Sequence, residues 1–199
     1  MDIILIGYFS EVSESLKEDG YNILGYIDFK KNNNCNNIKW LGSDEDALEV
    51  KQEFPDAQLI ISPDLPHIRK KISSDYIENN FKIHSFLHSK AYLSKTSIIG
   101  NGTFIQNSSY ISTNCKVGKL VKINYGANIS HDCSIGDYTT VAPRAVILGN
   151  VSVGTQCYIG ANCTVLPNVI IGDNVIIGAG SVVTRNIESL KTVKGSPAK

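Results

Sequence analysis

Aliphatic residues recur every six positions from Leu93 without a phase error. They are Leu93, Ile99, Ile105, Ile111, Val117, Ile123, Ile129, Ile135, Val141, Ile147, Val153, Ile159, Val165, Ile171, Ile177 and Val183. Nearly all are β-branched. A period of six fits neither the turn of an α-helix nor the two-residue alternation of a lone strand. It suits a coil with three short faces, so the pattern predicts a solenoid of parallel strands over Leu93–Ile187. Four residues after each aliphatic comes a mostly smaller side chain, among them Cys115, Ala127, Cys133, Ala145, Cys157 and Cys163, sized to fill a narrow prism. Three residues after each aliphatic, Gly, Asn or Asp dominates, as at Gly102, Asn114, Gly126, Asp132, Asn150, Asn162 and Gly180. Those types tolerate the left-handed backbone of a sharp corner.

Residues 3–87 read differently. Strands are predicted at Ile3–Gly7, Tyr21–Phe29, Ala57–Ser62 and Lys82–Leu87. Helices are predicted at Ser10–Glu18 with Ser10 as cap, from Ser43 to about Phe54, and from Asp64 or Pro66 to about Asn79; Lys30–Asn37 is a loop. The βαβαβαβ order implies a small parallel sheet with helices on its faces. In such sheets ligands sit at the carboxyl ends of the strands. Gly7, Ser10 and Asp28 therefore line the expected crevice, although Gly7 is followed by Tyr8 and Phe9 rather than by a glycine-rich loop.

At 199 residues the chain is expected to form two domains, 1–88 and 89–199. Lys plus Arg and Asp plus Glu both number 19, so the net charge is zero and no basic stripe argues for nucleic acid. No apolar run approaches membrane-spanning length, and Met1–Gly7 reads as a first strand rather than a signal peptide. A soluble, cytoplasmic protein with no membrane partner is expected. Four of the five cysteines fall on the small inward position and no CxxC occurs, so they read as buried hydrophobes rather than as metal ligands or disulfides. His67, His84 and His88 read as solvated or structural, and Trp40 as packing.

Residues one coil apart stack at the same corner, about 4.8 Å up. His131 falls at a solvent-facing corner position with Gly149 one coil above it and Pro167 above that. A base beside a backbone amide with no side chain over it suits acyl transfer to an amine. The imidazole takes the proton of the attacking nitrogen, and the amide steadies the oxyanion. Asp132 is placed to orient the ring, though it also sits where Asn, Asp and Gly recur as turn residues, and Gly149 can equally be read as a turn glycine.

The motif Asn124-Tyr125-Gly126-Ala127 followed by His131-Asp132-Cys133-Ser134-Ile135-Gly136-Asp137 resembles that of the hexapeptide-repeat acyltransferases acting on nucleotide-linked amino sugars, the PglD/NeuD-like group. The resemblance covers essentially the whole chain. It implies a Rossmann-like α/β domain followed by an all-β left-handed parallel β-helix, a hand that breaks the usual crossover rule. By the same resemblance His131 is the general base, Asp132 its partner, and Asn124 lies near the acceptor sugar. Gly149 presents its amide to the thioester carbonyl, and Ala161 and Ala179 line an acetyl-CoA groove between neighbouring protomers of a homotrimer. The Gly195-Ser196-Pro197-Ala198-Lys199 ending lies near the CoA adenine. The sugar nucleotide spans from Asp28 and the Gly7–Ser10 turn to His131.

The implied activity is acetyl-CoA-dependent N-acetylation of a UDP- or dTDP-linked 4-amino-4,6-dideoxy sugar for surface glycan synthesis, without metal. Two positions depart from the family. Thr140 stands where relatives often carry a second histidine, and Tyr8-Phe9-Ser10-Glu11 replaces a G-x-x-G-H loop. An O-acetyltransferase of the sialic-acid type and a non-catalytic trimeric scaffold remain alternatives, and the nucleotide base stays open.

Overall fold

The computed structural model describes residues 1–32, 35 and 37–199, so part of the loop expected at Lys30–Asn37 lies outside the described residues. Two compact units emerge: Met1–Pro63 with Ile68–His84, and Asp64–His67 with Ser85–Lys199. The division falls at His84/Ser85 rather than at 88/89 because Phe86–Leu87 already pairs with Phe104–Ile105 of the repeat.

In the first unit, parallel strands β1 (Asp2–Ile6), β2 (Asn22–Ile27), β3 (Trp40–Gly42) and β4 (Gln58–Ile61) form one sheet in the order β3-β2-β1-β4. β1 lies between two strands, and its Ile3, Ile4, Leu5 and Ile6 are fully buried, as expected of a strand covered on both faces. Helix α1 (Ser10–Glu18) turns Val12 and Leu16 into the core. Its cap position is Phe9, not Ser10, and no side chain caps it; Ser10 is already helical and its carbonyl accepts the Ser13 hydroxyl. Ser43 does start the next helical segment. Its amide and hydroxyl both reach the Asp46 carboxylate, at 2.8 and 3.0 Å, and a 3-10 turn, Asp44–Asp46, leads into α2 (Ala47–Glu53).

Two expectations fail here. β3 was not foreseen: three residues are too short to show an alternation, and Trp40 does more than pack, since its Nε1 donates to the Asp28 carbonyl. The strand expected at Lys82–Leu87 splits. Ile83 makes a lone bridge to Leu59, whereas Phe86–Leu87 is the first strand of the second unit. The third helix, α3 (Pro66–Glu78), falls where expected.

The second unit is a stack of two-residue strands in three parallel sheets. The first face carries Phe86, Phe104, Lys122, Thr140, Tyr158 and Ile176; the second begins at Tyr92 and the third at Ile98. The chain visits them in that order, and each strand pairs with the strands one coil below and above, as Asn128 does with Tyr110 and Val146. The aliphatic of each hexad points inward: Ile111, Ile123, Ile129, Val141, Ile147, Ile159, Val165, Ile177 and Val183 are all fully buried. Each such side chain contributes roughly 1.5–3 kcal/mol. The expected Asn, Asp and Gly corners do adopt positive φ, as at Asn114, Asp132, Asn162 and Gly180. The repeat departs from register at its end, where Thr192–Val193 pairs with Ile176–Ile177 and Ile187 bridges Ile171, so the last coil is shorter than those before it. Among the described residues no helix is long and apolar enough to cross a membrane.

The inward cysteines are free thiols, all at most 1% exposed; burial pushes the Cys157 thiol up and the Cys163 thiol up to about 12, whereas the bond from Cys133 draws the Cys115 thiol down, so it is burial that shields all four. A thiol reagent at neutral pH is therefore expected to modify only Cys35 in the native protein and all five cysteines in denaturant. Rapid native modification of two or more would contradict the packing described.

Candidate active site

Each corner of the prism is a pair of residues: the first projects outward and the second takes left-handed backbone. At the corner between Asn128–Ile129 on the second face and Ser134–Ile135 on the third, that pair is His131 and Asp132. Asp132 has φ of 59° and donates its amide to the Thr113 carbonyl below, while the His131 carbonyl accepts the Asn150 amide from above. The imidazole is thereby thrust outside the prism, and its side chain is 62% exposed. His131 Nδ1 lies 2.8 Å from Asp132 Oδ2, and Asn114 Nδ2 donates to Asp132 Oδ1 at 3.1 Å. Those two bonds, the histidine's first, hold the Asp132 carboxyl below its usual range. A carboxylate only accepts, so Nδ1 carries a proton, which leaves Nε2 as the ring nitrogen that can take one up.

Gly149 is the residue over which this ring lies. A Cβ there would come within 2.7 Å of both Cε1 and Nε2 of His131, closer than real Cβ atoms approach anything. The glycine is therefore needed for the close approach of the ring; its φ is not left-handed. Its carbonyl accepts the Asn168 amide, while its own N–H donates to no acceptor among the described residues. A proton acceptor and a backbone donor thus share one corner.

Ala161 and Ala179 stack at a different corner, between the first and second faces, linked by the Gly180 amide donating to the Ala161 carbonyl at 2.8 Å. One whole face of the prism separates them from His131. Asn124 opens that same corner and is 2% exposed. Its Nδ2 reaches Asp64 Oδ1 at 3.4 Å, and its Oδ1 is buried without a hydrogen-bond partner.

Asp64 was not singled out by any motif, nor was Lys122, whose ammonium is buried and lies 2.8 Å from Asp64 Oδ1. An unpaired ammonium in that position would cost several kcal/mol, so the pair accounts for the burial. Thr140, also fully buried, donates its hydroxyl to the Asp64 carbonyl. The side chain at the position where the resemblance would place a second histidine is thus committed to holding Asp64–His67 on the first face. No local pattern signals a contact between residues this far apart in the chain.

In the first unit, Gly7 (φ 74°) turns the chain out of β1, and its neighbour Tyr8 donates its amide to Asp28 Oδ2 at 3.1 Å. Gly7 and Asp28 share a cavity of about 310 Å³ with Tyr8, Phe9, Phe29 and Asp44. Ser10 is not part of its wall. His84, half-buried, is structural, between Gln58 and Tyr21, and its partial burial lowers its pKa; His88, fully buried, accepts the Lys90 amide. Among the described residues no group of three or more His, Cys, Asp or Glu side chains is placed to hold a metal ion.

Residues 132–166 and 150–185 match the family described as bacterial transferase hexapeptide (six repeats). No match was found among curated protein sequences. Among solved structures, the chain is similar to PerB from Caulobacter crescentus in complex with CoA and GDP-perosamine. The two are 28% identical with a TM-score of 0.93, over 100% of this chain and 96% of that one. A variant of perosamine N-acetyltransferase from the same organism, with asparagine in place of a histidine and the same two ligands, is 27% identical over the same shares, with a TM-score of 0.95. The acetyltransferase domain of PglB from Neisseria gonorrhoeae, in complex with acetyl coenzyme A, is 24% identical over 100% of this chain and 98% of that one. Its TM-score is 0.89, a likeness of fold. The fold is that of a hexapeptide-repeat chain similar along its whole length to amino-sugar acetyltransferases.

The His131–Asp132 bond makes a direct prediction. Carboxyl-carbon NMR should show Asp132 titrating below an ordinary aspartate, and His131→Ala should move that titration upward, because the largest cause of the lowering is gone. A titration that ignores the substitution would contradict the bond.

Proposed function

We propose that this protein is an acetyl-CoA-dependent N-acetyltransferase that acetylates the amino group of a nucleotide-activated amino sugar. The observation that carries this reading is the outward His131, tied through Nδ1 to Asp132 and lying over the bare α-carbon of Gly149. The free amine attacks the thioester carbonyl carbon. Nε2 of His131 removes its proton, and the Gly149 N–H steadies the oxyanion of the tetrahedral intermediate. The C–S bond then breaks, and the CoA thiolate leaves and takes the proton from the imidazolium. Asp132 holds the ring in the tautomer this needs. No covalent acyl-enzyme is required, because no activated nucleophile stands beside His131.

The prism, left-handed in this reading, is the acyltransferase domain. The N-terminal sheet, Rossmann-like, binds the sugar nucleotide, with the diphosphate against the amides at the start of α1 and the ribose at Asp28. Acetyl-CoA lies along Ala161 and Ala179. Because that corner and the His131 corner are separated by a face of the same prism, one protomer's base serves its neighbour's thioester, and the enzyme works as a homotrimer. Asn124 opens the acetyl-CoA corner beside the acceptor sugar. The reaction belongs in the cytoplasm, where acetyl-CoA and sugar nucleotides meet.

Thiol release from acetyl-CoA, measured with UDP-, dTDP- and GDP-linked 4-amino-4,6-dideoxy sugars and with free sialic acid, tests this reading. Turnover is expected only with a nucleotide-linked amine, from a species sedimenting as a trimer. Turnover confined to sialic acid would replace it with O-acetylation, and release with none of these acceptors would favour the scaffold.

A further inference from the structure

The cavity at the carboxyl edge of the four-stranded sheet holds a carboxylate that no sequence motif marks. Asp44 follows β3 directly through Ser43 and lines the same cavity as Gly7, Tyr8 and Asp28. It is fixed in place: its Oδ1 accepts the hydroxyl of Tyr76 at 2.7 Å, and Tyr76 is 3% exposed. Burial and then this bond push the Tyr76 phenol above its usual range, so it stays a donor and the carboxylate keeps one orientation. Asp44 is exposed at the turn and borders both this cavity and the one on the Tyr76 side; beyond the bond to Tyr76, its Oδ2 and the second lone pair of Oδ1 keep acceptor capacity for a ligand. Tyr8 also lines this cavity; its side chain is 9% exposed, and its hydroxyl oxygen is buried behind the wall without a hydrogen-bond partner. Phe29 and Phe9 present exposed aromatic surface beside it.

The position of Asp44 in the sheet says which part of a ligand it meets. β1, β2 and β3 are neighbours, about 4.8 Å apart, and at their carboxyl ends stand in turn the Gly7 turn leading into α1, then Asp28, then Asp44. A sugar nucleotide laid along that edge presents diphosphate, ribose and base in the same order. This step rests on the reading of the crevice given above. An ionised carboxylate accepts hydrogen bonds and donates none. Guanine offers it two adjacent donors, N1–H and the N2 amino group. Uracil and thymine offer one N–H flanked by two carbonyl oxygens, which a carboxylate repels. We propose that Asp44 reads the nucleobase and selects a guanine nucleotide by accepting N1–H and N2–H together.

Calorimetric binding of GDP, IDP and UDP to the wild-type protein, Asp44→Asn and Asp44→Ala tests this. IDP differs from GDP only in lacking the N2 amino group. Wild type is expected to bind GDP roughly tenfold or more tighter than IDP or UDP, the scale of a bidentate base contact. Both variants should bring GDP down to the level of IDP. Asp44→Asn retains an acceptor for Tyr76, so an unchanged melting temperature in that variant separates lost reading from lost folding. UDP binding as tightly as GDP in wild type would overturn the proposal, as would variants that weaken GDP and UDP by the same factor. Binding of none of the three would overturn the nucleotide-sugar reading of the crevice itself, and this assignment with it.

Discussion

Backbone hydrogen bonds between successive coils hold the prism together, and they leave its corner residues little choice of conformation. Leu120, Tyr138, Arg144 and Gln156 are not residues that favour left-handed backbone, yet each adopts it, with φ between 52° and 61°. The cost is about 1–2 kcal/mol apiece. Each also donates its amide to a carbonyl on the coil below, as Leu120 does to Asn101 and Gln156 to Asp137, both at 2.8 Å. A bond of that kind returns about 0.5–1.5 kcal/mol net. Corners of this type are close to neutral, so the burial of aliphatic side chains inside the coil decides the fold. Register is therefore kept even where the local residue opposes it.

The same constraint makes the site. A corner must throw its first residue outward, so a histidine there is exposed without any special device, and the residue after it is fixed in a conformation that lets its carboxylate reach back to Nδ1. Stacking supplies the rest. The residue one coil above is held against the ring, and only glycine leaves room for it. Acid, base and backbone amide are brought together by periodicity alone. The first face carries a different kind of constraint: a buried ion pair, Lys122 with Asp64, and the Thr140 hydroxyl pin a four-residue segment whose sequence neighbours belong to the other unit.

What could be read from the sequence follows from how local each signal is. The inward aliphatics, the Asn, Asp and Gly corners and the His131–Gly149 stack all repeat at a fixed interval, so arithmetic places them. Helix α1 was placed at Ser10–Glu18 as found, although its cap was misassigned because Ser10 looked like a capping residue while the backbone turned one residue earlier, at Phe9. β3 was not legible, being three residues that gain stability only from pairing with β2. The shortened last coil was hidden because Ile187, four residues after Val183, still reads as the second inward position of its hexad, whereas it bridges Ile171, a residue of the aliphatic step. Lys122, Asp64 and Asp44 carry no local mark, since each owes its role to a partner far away in the chain.

The central claim is that an exposed imidazole at a prism corner removes the proton from an attacking amine. Acetyl transfer from acetyl-CoA to a nucleotide-linked amino sugar by His131→Ala tests it most directly, in protein whose circular dichroism and sedimentation match wild type. The account predicts a fall in rate of roughly 10²-fold or more with the fold intact. Transfer at a rate near that of the wild type would contradict it.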